Sequence, residues 1–96
     1  MKIRIHDEAA TDLIEGFLFY EKQNSGLGSY SLDSLFSDID SLSLFAGIHP
    51  ICYGKYHRLL SKRFPFAIYY QIIGESTHVF AVLDCRSDPA WIRKRL

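Results

Sequence analysis

Four basic residues in the second half of the chain carry the chemistry this sequence can offer: Arg58, Lys62, Arg63 and Arg86. Guanidinium groups grip anionic oxygens bidentately, and an ammonium adds a point charge, so a cluster of this kind suits phosphate or carboxylate. Arg58 falls in an extended stretch, Lys62 and Arg63 at its end, and Arg86 at the end of another. If neighbouring strand ends converge, the four share one rim. Cations on such a rim would stabilise charge building on a phosphate under attack. A metal-free cut of RNA also needs an acid and a base. Tyr56 and His57 are close in sequence, but alternation along a strand sends His57 to the face opposite Arg58. The same cations also read as edge-strand charges that discourage aggregation.

Other chemistries find less. His49 and Cys52 have an HxxC spacing with no second close pair, whereas zinc needs three or four converging ligands. No metal and no cofactor is expected. No serine sits in a G-x-S-x-G turn. Gly26-Leu27-Gly28 follows a helical pattern and reads as a turn between helices, not a phosphate loop. Asp33, Asp38 and Asp40 lie with several serines on the polar side of a helical stretch, where solvation is the expectation.

The elements that must position these residues follow from periodicity. Lys2 to His6 alternates as a strand. Asp7 is placed to cap a helix whose apolar residues are Ala10, Leu13, Ile14, Phe17 and Tyr20. Asn24-Ser25-Gly26 stops it, and a second helix repeats the spacing at Leu32, Leu35, Phe36, Ile39 and Leu42. The short link makes the two an antiparallel hairpin. After an irregular stretch from His49-Pro50, three extended segments around 56–60, 66–73 and 78–85 form an antiparallel meander. Asp88-Pro89 opens a short last helix, with Trp91 and Ile92 expected inward and Arg93, Lys94 and Arg95 in solvent. The fold class is therefore α+β: β-α-α-β-β-β, a mostly antiparallel sheet covered on one face by a helix hairpin, with a short C-terminal helix.

Size and charge set the frame. The 96 residues are expected to form one domain spanning 1–96. With 48% hydrophobic and 23% charged residues, the composition is that of a globular protein rather than a disordered tail. No apolar run approaches a membrane span, and the N-terminus carries no secretory pattern. Two cysteines are no disulfide framework, so a cytoplasmic location is expected. The net charge of zero hides a division. Residues 1–46 hold 3 basic and 8 acidic residues, and residues 47–96 hold 8 basic and 3 acidic. One anionic and one cationic surface are expected, the latter suited to nucleic acid or an acidic protein.

Three stretches taken together, Tyr56-His57-Arg58-Leu59, Lys62 through Tyr70, and Ala81 through Trp91, resemble the RelE/ParE superfamily of bacterial type II toxins. Ala9, Asp12, Leu13, the Tyr20-Glu21-Lys22-Gln23 run and Gly26-Leu27-Gly28 look like that family's helix hairpin. The resemblance implies the fold just derived and a cognate antitoxin as partner in a hetero-oligomer. RelE-like members cut mRNA on the ribosome with basic residues that include an arginine in the middle meander strand. Here that position is Ala67, and no tyrosine follows Arg86, unless Trp91 substitutes. Phe64-Pro65-Phe66 and Arg86-Ser87-Asp88-Pro89 look more like the ParE-like branch, which is associated with DNA gyrase and plasmid stabilisation. The resemblance thus implies growth inhibition by binding a protein target, with no firm catalytic residue. The alternative is a metal-free, ribosome-dependent endoribonuclease using Arg58, Lys62, Arg63 and Arg86. The residues expected to meet a partner are Arg58, Lys62, Arg63, Arg86, Trp91 and Arg93.

Overall fold

A computed structural model describes residues Lys2–Leu96. The chain runs β1 (Lys2–Ile5), α1 (Asp7–Gln23), α2 (Leu27–Asp40), α3 (Leu42–Phe45), β2 (Ile51–Cys52), β3 (Tyr56–Leu60), β4 (Phe66–Ile73), β5 (Ser76–Asp84) and α4 (Pro89–Arg95). The sheet order is β1-β5-β4-β3-β2, with β1 parallel to β5 and the other pairs antiparallel. The expected α+β layout is therefore present. Two short elements were not expected: α3, cut from α2 at Ser41, and the two-residue β2.

The helix hairpin covers one sheet face. Ala9, Leu13 and Tyr20 of α1 and Leu35 and Ile39 of α2 bury against Phe66, Ile68, Tyr70, Val79 and Val82. The periodicity read for α1 is rotated slightly from the buried stripe, for Ile14 is 59% exposed while Gly16 faces the sheet. α2 departs in the same way, because Ser31 is buried in place of a larger residue and donates its hydroxyl to the Gly28 carbonyl at 2.8 Å. Asp7 does not cap α1. The helix begins at Asp7, His6 holds the cap position without a side-chain bond, and Asp7 and Glu8 sit in the first turn. Carboxylates there complement the helix dipole.

The hairpin turn is set by two glycines and a glutamate. Gly26 has φ +88°, the left-handed region glycine enters without strain. A Cβ on Gly28 would stand 2.6 Å from the Phe17 carbonyl oxygen, so the two helices approach there only because Gly28 has no side chain. The Glu21 carboxylate accepts the Gly26 and Gly28 N–H groups at 3.0–3.1 Å, satisfying donors that open α2.

The second sheet face is also used. Tyr56, Ala67, Tyr69, Ala81 and Leu83 bury there with Ile92 of α4. Two covered faces explain why adjacent Tyr69 and Tyr70 are both buried, at 2% and 0% exposed. A bulge carries Phe80 between Ala81, opposite Tyr69, and Val79, opposite Tyr70. The part of this face formed by β1 and the start of β5 keeps Lys2, Arg4 and His6 exposed.

Candidate functional site

The structure distributes the four central cations over three places. Arg58 lies in β3 opposite Tyr69, on the face that α4 covers. Its Nε is buried with no hydrogen-bond partner. Burial pushes the Tyr69 hydroxyl above its ordinary pKa, Tyr53 adds to the shift, and the Arg58 guanidinium offsets part of it.

Arg86 turns the other way. Asp84 is in register with Phe66, on the face of the helix hairpin. Arg86 clasps that carboxylate with Nε at 3.0 Å and Nη2 at 2.7 Å, and its own backbone N–H donates to it at 2.8 Å. The Arg86 hydrogen bond holds the Asp84 carboxyl below the ordinary carboxylate range. The charge of Arg86 reaches Tyr20 of α1. Arg58 thus lies on the face under α4, while Arg86, in the exposed turn after β5, is clasped to a carboxylate of the hairpin face, and Lys62 and Arg63 stand elsewhere, so the four do not share one rim.

Lys62 and Arg63 form the third place. The β3–β4 loop brings them against α2, where with Tyr30, Asp33, Ser37 and Asp38 they line an open hollow. The Arg63 guanidinium stands 5.8 Å from the Tyr30 ring centre. Asp38, expected in solvent, is only 7% exposed, because Ser61 from the same loop donates its hydroxyl to it at 2.8 Å. A carboxylate at the sheet end of α2 is needed there to hold the loop.

The C-terminal helix departs from expectation at two residues. Ile92 is buried, but Trp91 is 48% exposed and walls a groove of roughly 210 Å³ with Phe19, Glu15, Gly16 and Asp84. Arg95 is not in solvent. It donates to Glu8 at 2.6 Å and to Asp12 of α1. Asp12 also accepts the Val82 N–H at 3.0 Å, so one carboxylate ties together α1, β5 and α4. Burial raises the Asp12 pKa, and the bonds from Arg95 and Val82 offset part of that. Arg93 packs over the Tyr53 ring at 5.8 Å.

The acid/base candidates are held elsewhere. Tyr56 donates its hydroxyl to the Leu96 carbonyl at 2.8 Å. His57 faces away from Arg58, as alternation required, and stacks on Tyr70 with ring centres 5.0 Å apart. Its Nδ1 donates to the His49 carbonyl at 2.8 Å. Nδ1 of His49 meets the Tyr70 hydroxyl at 2.5 Å, and that hydroxyl also accepts the Gly47 N–H. Sequence reasoning missed this network, the Asp12–Arg95 tie and a His6–His78 contact. Only the alternation of His6 and His78 along their strands hinted at the last, and nothing in sequence pairs the two strands.

No family model and no curated protein matches the chain. Among solved structures, a chain of the "Chromosomal ParDE TA system from P. aeruginosa" matches with a TM-score of 0.79 at 16% identity, covering 85% of this chain and 92% of that chain. At that identity the likeness establishes the fold.

Proposed function

We propose that this protein, built on the fold of a chain from a ParDE toxin–antitoxin structure, is the toxin of a type II toxin–antitoxin pair of the ParE-like branch. The shared fold over most of both chains is the observation that carries the reading. In this reading the protein works in the cytoplasm, inhibits growth by binding a protein target, DNA gyrase by resemblance, and is neutralised by a cognate antitoxin. Its partner-facing residues are Arg58, Lys62, Arg63, Arg86, Trp91 and Arg93. They are dispersed around the sheet and the two helix layers, so a partner that reaches them all must wrap the molecule as an extended segment rather than dock on one spot. The exposed apolar residues Ile14, Leu18 and Phe19 along α1 give such a segment surface to bury.

The ribonuclease alternative draws no support from the placement of its residues. It asks Arg58 and Arg86 to meet one phosphate with an acid or base in reach. Arg58 lies under α4 with its Nε buried, Arg86 is already paired with Asp84, and Tyr56 and His57 bond to backbone carbonyls.

Pulse labelling tests the reading. The chain is induced in bacteria without its antitoxin, and thymidine and methionine incorporation are followed over the first minutes. Early loss of thymidine incorporation with translation intact is expected. Early loss of methionine incorporation with DNA synthesis intact would overturn the gyrase-directed reading in favour of the nuclease.

A further inference from the structure

The four histidines form two pairs. His49 and His57 are tied into the Tyr70 network. His6 and His78 are not. His6 follows β1, His78 lies in β5, and both point to the part of the sheet face away from the helix hairpin. Nε2 of His6 stands 2.9 Å from Nδ1 of His78, exposed to solvent. The Phe80 ring lies beside both. Its centre is 4.3 Å from His6 and 6.2 Å from His78, the latter nearly parallel at 20°. An aromatic ring thus flanks the pair, which is also held together by its own hydrogen bond.

Their separation is that of a hydrogen bond between the rings, and it also fits two ligands of one metal. Two imidazole nitrogens bound at right angles to one metal, with bonds of about 2.0–2.1 Å, stand about 2.9 Å apart. At a tetrahedral angle the same bonds would hold them about 3.4 Å apart. We propose that His6 and His78 chelate a divalent transition ion of tetragonal preference, copper(II) or nickel(II), with water at the remaining positions. Two changes admit the ion. The proton shared between the rings moves to the far nitrogen of its own imidazole, and both lone pairs turn off the N···N line to the same side. No covalent bond to carbon changes and no electron is transferred. Among the described residues no third His, Cys, Asp or Glu joins the pair, so the two rings are the site's imidazole and carboxylate share. Arg4, in register with His78, places a positive charge on the same face. That charge opposes hard cations held by charge alone and leaves ions that bind nitrogen strongly. The bound ion bridges edge strand β1 to β5.

Copper(II) titration of the full chain tests the site, by calorimetry in a non-chelating buffer and by electron paramagnetic resonance. One copper per chain is expected, with a tetragonal spectrum split by two imidazole nitrogens and a melting temperature that rises with copper. His6→Asn and His78→Asn should each weaken binding by at least about tenfold, since losing one of two ligands costs no less than losing a supporting contact. His78 is half-buried, so His6→Asn, at an exposed strand end, carries the test if His78→Asn fails to fold. Unchanged affinity in His6→Asn, or loss of binding in His49→Asn instead, would overturn the proposal.

Discussion

Asp84 and Asp12 are both carboxylates beside an arginine, and their environments drive them in opposite directions. Asp84 is depressed chiefly by the Arg86 hydrogen bond. A carboxyl whose folded pKa lies below its unfolded value contributes stability above the unfolded pKa. That contribution is lost as pH falls through the folded pKa. Replacing Arg86 by Ala should let Asp84 titrate at higher pH, back toward the ordinary carboxylate range, which a carbon-13 carboxyl titration reads directly. An unchanged titration would mean the pairing contributes nothing in solution. Asp12 is raised by burial, so its ionised form is the costly one, and its bonds to Arg95 and Val82 limit the cost. Asp12→Ala would strand the Val82 N–H and leave the Arg95 guanidinium, only 20% exposed, with Glu8 as its remaining carboxylate. A loss of about 2–4 kcal/mol is expected, measured by urea unfolding.

At the scale of elements, the helix hairpin and α4 depend on close contacts that tolerate little change. Gly28→Ala places a methyl against the Phe17 carbonyl and Glu21, and the backbone contact cannot swing away. It should destabilise by about 1–3 kcal/mol through forced separation of α1 and α2. Gly26→Ala meets nothing within 4 Å, so its cost, about 1–2 kcal/mol, comes only from the left-handed backbone. A cost for Gly28→Ala below about 1 kcal/mol would show that the close approach is not the limiting contact. Ile92 is the buried residue of the seven-residue α4. Ile92→Ala should cost about 2–4 kcal/mol. It should also raise amide exchange in α4 before the sheet, because the element has few other anchors.

For the whole molecule, the division of charge matters most. The helix layer carries the acidic excess, while β1, the meander and α4 carry the basic one. The layers are joined where Arg95 reaches Glu8 and Asp12. A partner with an acidic segment therefore meets the sheet side and its loops. Arg63→Glu together with Arg93→Glu changes two exposed cations without touching the core. In the proposed toxin reading, the pair should weaken the complex with a cognate antitoxin by about tenfold or more at low salt and flatten its salt dependence. Calorimetry at two ionic strengths checks this. An affinity that does not move would, in that reading, put the partner's footprint on the apolar surface of α1 instead.

The order of elements, the helix hairpin and the meander were readable from the chain, because period 3.6 and period 2 are local properties. So was the direction of His57 away from Arg58, which follows from alternation within one strand. Convergence between elements was not readable. Whether Arg58 and Arg86 meet depends on which face Asp84 takes, and that depends on the strand register and the bulge at Phe80. Asp38 reads as solvated from its helix alone and is buried because a loop 23 residues later folds over it. Arg95 reads as a free cation and finds its carboxylates 83 and 87 residues away. His6 and His78 became neighbours only when β1 paired parallel to β5. Local periodicity therefore determined which elements form, whereas only the tertiary structure decided which charged and titratable groups share a place, because those meetings are set by strand pairing between residues far apart in the chain.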